Sequence, residues 1–321
     1  MDRKKSTVLL LVTAIVLANI AWSQNAVETS LYLSFNKNGP IAIGKIASLQ
    51  LAQQSAVSEI GTLSLDITEQ LRGDPLPSRV EVRFGWVDPS SSEFLGRLKG
   101  PPPGGFDRLR PVAGMHVLLM FDRRKPTTVP PLAVLDLDSE EAAWVPLIKR
   151  AIAGESLQGA DRVNALLHGL NDPQKFIRTV SMHALLQGTE CQSGSACADS
   201  AVTILGVRAN RGTKAERLEA ISWLAHQFYF EYEDAGPTST NNKIAATILT
   251  LVGDPDPSIR GQAIDNLDQV LSPGNKWRPD LAHLAIPDRS AVVEALRREG
   301  QKGGRTAVEA SRISSALGVQ R

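Results

Sequence analysis

Between residues 41 and 137 apolar and polar positions alternate at every second residue, the pattern of strands with one face on a core and the other in water. Leu63, Leu65 and Ile67 alternate with Ser64, Asp66 and Thr68, and Val80, Val82 and Phe84 alternate with Glu81 and Arg83. Residues 41–51 and 133–137 read as further strands, and the unbroken apolar run 117–121 as one buried on both faces. Asn38-Gly39-Pro40, Gly73-Asp74-Pro75 and Asp88-Pro89 separate them as turns. A long loop from Asp88 to about Gly114 divides the third strand from the fourth. Its centre, Gly100-Pro101-Pro102-Pro103-Gly104-Gly105-Phe106, fits neither a helix nor a paired strand. Five short strands with one excursion predict a small closed or partly open β-barrel, OB-like, over residues 24–138. Such a barrel by itself specifies no ligand.

Over residues 139–321 the spacing lengthens to three and four. Val163, Leu166, Leu167 and Leu170 form a helical stripe. Asn171-Asp172-Pro173 ends that helix and opens the next, proline suiting a first turn. The stretch Asp172-Pro173-Gln174-Lys175-Phe176-Ile177-Arg178 then recurs 82 residues later as Asp254-Pro255-Asp256-Pro257-Ser258-Ile259-Arg260. Each arginine is followed by apolar residues four and seven positions on: Met182 and Leu185, then Ile264 and Leu267. A copy without the Asp-Pro lies between them, Arg217 with Ile221 and Leu224, so the arginines are 39 and 43 residues apart. A looser fourth copy starts at Arg289, with Val293 and Leu296. One such helix pair cannot bury its apolar face alone, so neighbours must stack.

This D-P-x-x-x-I-R junction at a period near 40 resembles the HEAT-repeat family, including its shorter bacterial HEAT-like variants. The match covers roughly residues 161–271. The resemblance implies an α-solenoid in the second half, and with the first half an α+β multidomain chain. It also implies that Asp172, Arg178, Asp254 and Arg260 link neighbouring repeats in a ladder, and that the stacked surface holds a protein partner.

The N-terminus changes the compartment. Arg3, Lys4 and Lys5 precede an apolar run over residues 8–20, and Ala21 and Ser23 stand at the −3 and −1 positions of a cleavage site. Residues 1–23 therefore read as a secretory signal peptide, the alternative being an uncleaved membrane anchor, for which the run is short. Without the leader, 32 basic residues face 33 acidic ones. A near-neutral surface does not attract nucleic acid over distance. The two cysteines, Cys191 and Cys197, flank a Gly/Ser loop and in an oxidising compartment read as a local disulfide.

Chemistry is sparse. The five histidines form no H-E-x-x-H, and His168 and His183 are the only two that a turn brings near each other. Ser34-Phe35-Asn36-Lys37 matches S-x-x-K, but neither S-D-N nor K-T-G follows. Glu140 and Glu141 are adjacent on a helix start and do not face each other. Phe228, Tyr229, Phe230 and Tyr232 cannot all face one core; they read either as a partner patch or as packing under the next loop. The expectation is an exported, non-enzymatic, cofactor-free and metal-free protein that binds another protein or scaffolds a complex. The alternative is a module that binds a small ligand or glycan at the barrel and its Pro-rich loop.

Overall fold

The computed structural model describes residues 28, 31–88, 106, 109–123, 130–187, 191, 194–230, 239–271, 284–286 and 288–318. The leader expected at 1–23 lies outside them. The chain divides into two compact units, residues 1–153 and 154–321.

The first unit is a five-stranded antiparallel sheet: β1 (Ile41–Gln54), β2 (Ser58–Arg72), β3 (Arg79–Val87), β4 (His116–Met120) and β5 (Ala133–Asp136). One face gathers Ile46, Leu63, Leu65, Val80, Val82 and Phe84, the alternating positions of the sequence, into a closed core. Phe106 from the long loop joins it, edge-on to Phe84 at 6.1 Å. Val117 and Leu119 belong to that face, while Leu118 and Met120 are buried on the other. Arg110 pins the same loop: its guanidinium pairs with the buried Glu59 and lies over the Trp86 ring.

The barrel expectation does not hold, because the strand order β3-β2-β1-β4-β5 leaves the sheet open. β3 pairs with residues 58–66 of β2, towards the turn end of the β1–β2 ribbon, whereas β4 pairs only with residues 41–45 of β1 at the other end. Closure would need the two edge strands, β3 and β5, to pair with each other, and they do not.

After β5, Ser139 caps a 3-10 turn at Glu140–Ala143 by accepting the Glu141 N–H, and the Glu141 carboxylate accepts the Asp136 N–H at 2.9 Å. Glu141 thus serves local structure. Helix α1 (Trp144–Glu155) follows, with Ile148 fully buried and Lys149 paired to Glu69 at 2.8 Å. Most of α1 falls within the first compact unit, residues 1–153.

The second unit holds helices α2 (Gly159–Gly169), α3 (Lys175–Gln187), α4 (Ala196–Arg211), α5 (Lys214–Phe230), α6 (Ser239–Thr250), α7 (Pro257–Val270), α8 (Arg289–Gly300) and α9 (Arg305–Gly318). They pack in pairs, α2 with α3, α4 with α5, α6 with α7 and α8 with α9. First helices touch first helices, α2 to α4 to α6, and second helices touch second helices, α5 to α7 to α9. The predicted apolar positions fill one continuous core: Met182 and Leu185, Ile221 and Leu224, Ile264 and Leu267 are all buried in it. The fourth copy needs correction. Arg289 opens α8, the first helix of its pair, whereas Arg178, Arg217 and Arg260 sit on second helices. On α9 the equivalent place is Thr306, followed four and seven residues on by the buried Ala310 and Ile313.

Candidate functional site

Two features of the helical unit gather polar chemistry. The first is a chain of partly buried ion pairs. Arg178 on α3 donates to the carbonyls of Asp172 and Pro173, both at 2.9 Å, and to Glu219 on α5 at 2.7 Å. Arg217 on α5 donates to the Ala209 carbonyl at 2.7 Å and pairs with the Asp254 carboxylate at the junction before α7. Arg260 on α7 donates to the carbonyls of Asp254 and Pro255, at 2.7 and 2.9 Å, and to Glu299 on α8 at 2.7 Å. The same arginine position thus reaches forward to the next repeat three times.

Of the four junction residues expected from sequence, Arg178 and Arg260 each hold their own Asp-Pro turn and an acid of the following pair. Asp254 receives the preceding Arg217, while the Asp172 side chain accepts the Gln174 N–H at 2.8 Å. The acids Glu219 and Glu299 were not read from the sequence. The available signal was their spacing: Glu219 stands two residues after Arg217, and Glu299 two after Arg297. A further buried arginine, Arg208, donates to the Leu170 carbonyl at 3.2 Å and pairs with Glu216. Glu216 is held below its ordinary range, chiefly by the Thr213 N–H and hydroxyl, with Arg208 and Arg178 adding positive potential. Arginine suits these places because its fork meets a carboxylate and two carbonyls at once.

The second feature is a groove of about 500 Å3 between α4 and α6, a volume in the range of ligand pockets. Thr203, Val207, Asn210 and Arg211 line it from α4, Lys243 and Thr247 from α6. Gly206 lets the helices approach, since a Cβ there would meet the Thr247 methyl at 3.3 Å. One end is braced by a polar network: the Thr240 hydroxyl accepts the Gly194 N–H at 2.9 Å and donates to Asp199 at 2.9 Å, and Asp199 also takes the Lys243 ammonium. That hydrogen bond from Lys243 is the main reason the Asp199 carboxyl lies below the usual carboxylate range. A carboxylate with a depressed folded value stabilises above its unfolded value, near 4, and loses that contribution as pH falls through the folded value. Asp199→Asn is therefore expected to melt lower than the parent at pH 7, with the gap narrowing as pH drops below about 4 in paired thermal melts.

Gly194 belongs to the loop closed by the Cys191–Cys197 disulfide, whose Cα atoms are 4.9 Å apart. Both sulfurs are buried at the start of α4, where Ser195 caps the helix by accepting the Ala198 N–H at 3.1 Å. The bridge fixes the loop that reaches Thr240. Replacing both cysteines by serine is expected to cost roughly 2 kcal/mol, read from denaturant melts. Intact mass after alkylation without reductant should show no adduct on the parent protein; two alkyl groups would overturn the bridge.

Phe228, Tyr229 and Phe230 fall in the last turn of α5; their side chains, and Tyr232, lie outside the described residues. His183 is half-buried, and burial lowers its basicity. Ser34 lies in a helical turn and is buried, while Lys37 is exposed. Among the described residues no three His, Cys, Asp or Glu side chains gather as a metal set, and no helix is long and apolar enough to cross a membrane. No family model, curated protein or solved structure matches this chain.

Proposed function

We propose that this chain is an exported protein whose second unit is a HEAT-like stack that holds another protein, acting as a binding or scaffold component rather than as a catalyst. The observation that carries the reading is the forward-reaching arginine at Arg178, Arg217 and Arg260, each joining its repeat to an acid of the next pair. Such a ladder makes a row of helix pairs rigid, and a rigid row of first helices offers an extended surface for a partner. Export is supported by the Cys191–Cys197 bridge, which persists in oxidising compartments, and by the leader-like pattern over residues 1–23. The near-neutral charge favours a protein over nucleic acid as partner.

The test is in-cell crosslinking of the tagged, exported chain, with mass spectrometry locating the linked residues. Reproducible links from the helical unit to one other protein are expected. A chain recovered alone, with no protein links, would overturn the scaffold reading and turn attention to a small ligand or glycan on the sheet unit.

A further inference from the structure

We infer that the groove between α4 and α6 takes an extended, carboxylate-bearing segment of the partner protein, with Arg211 as its charge anchor and Val207 as its apolar contact. This rests on the scaffold reading above and names the surface and the chemistry that reading lacks. Three observations lead to it. First, an open groove of about 500 Å3 runs where Gly206 lets α4 approach Thr247 of α6, with Ala246 and Ala285 also lining it. Second, its charge is one-sided. Arg211 and Lys243 line it, and among the described residues no carboxylate does.

The two cations are not equivalent. Lys243 is already held by Asp199, whereas Arg211 has no ion-pair partner among the described residues. Its guanidinium is therefore the uncompensated positive group of the groove, and its planar fork suits a carboxylate. Third, Val207 is 54% exposed one helical turn before Arg211, on the groove-lining face that also carries Thr203 and Asn210. An acidic side chain on Arg211 and a small apolar one over Val207 match the groove together. The Thr203 and Asn210 side chains bond to carbonyls of their own helix, at 2.8 Å each, so specificity comes from charge and shape more than from new hydrogen bonds.

The experiment places a photo-crosslinking amino acid at Val207 in the full exported chain, with the same residue at Val308, an exposed position on α9, as comparison. Links from position 207 are expected to map to a stretch of the partner containing Asp or Glu, and to fall about tenfold in Arg211→Glu. Arg211→Gln, which removes the charge without placing an acid at the end of α4, should give an intermediate loss, with melting temperature near the parent's in both. Links from 207 that survive Arg211→Glu, or that map to stretches without an acid, would overturn the acidic anchor. Links from 308 but none from 207 would overturn the groove and leave the scaffold reading standing. Silence at both positions would overturn the two together.

Discussion

Ile259→Asp is expected to melt the helical unit near or below physiological temperature, while the sheet unit keeps its own transition. Ile259 is fully buried on α7, within the continuous core that includes Ile264, Leu267, Ile221 and Leu224. The substitution removes an aliphatic side chain, worth roughly 2–5 kcal/mol in a core, and puts a carboxyl where no water reaches. Burial then forces that carboxyl either to stay neutral or to bear a large desolvation cost, a further few kcal/mol. A sum above about 5 kcal/mol is a large part of a domain's whole stability. The sheet unit has a separate core around Leu63, Leu65, Val82 and Phe84, so its melt should be unmoved. Circular dichroism at a helical wavelength, followed against temperature, reads the effect, and Ile259→Val should cost only about 1 kcal/mol. A melt of Ile259→Asp that matches the parent would show that residues 254–267 do not pack as described.

Removing one partner of the buried Arg178–Glu219 pair should cost nearly as much, and removing both should cost far less. The two side chains are 5% and 12% exposed and meet at 2.7 Å. Arg178→Met leaves Glu219 as an uncompensated buried charge, with an expected loss of roughly 3–5 kcal/mol, or on the order of 10 °C for a unit of this size. The pair is imperfectly satisfied even when intact: Arg178 Nε and Glu219 Oε1 are buried without a hydrogen-bond partner. Combining Arg178→Met with Glu219→Leu is therefore expected to recover most of the loss, since a well-packed apolar pair often equals a buried ion pair. The four melts form a double-mutant cycle. Additive losses would mean that the two residues do not act as a pair. Recovery would show that the ladder contributes register between repeats more than net stability.

The strands were legible because burial of one face imposes period two, and the buried Leu63, Leu65, Val80, Val82 and Phe84 are the residues that alternate. The polar end of β1 was not, since Gln53 and Gln54 stand opposite Ile60 and Glu59 without apolar alternation, the Gln54 amide donating to the Glu59 carboxylate at 3.3 Å. On the helical side the arginine spacing marked three second helices, because a side chain with the same job recurs at the same turn. The acids that receive two of those arginines were hidden: whether Glu219 or a nearby residue faces Arg178 depends on how α3 and α5 lie together, not on local pattern. The copy read from Arg289 failed for a related reason. First and second helices of a pair carry the same apolar spacing, and only packing tells one from the other.

What the sequence determined by itself is therefore local and periodic: five strands, the run of amphipathic helices, the recurring arginine and the short cysteine loop, each set by which residues must leave water. Tertiary structure alone decided the rest. β4 pairs with the start of β1, and the edges β3 and β5 stay apart, a matter of pairing between strands far apart in the chain. The groove exists because Gly206 and Thr247, on helices separated by a whole intervening helix, come into contact. Both outcomes depend on long-range pairing, which the alternation of polar and apolar residues permits without specifying.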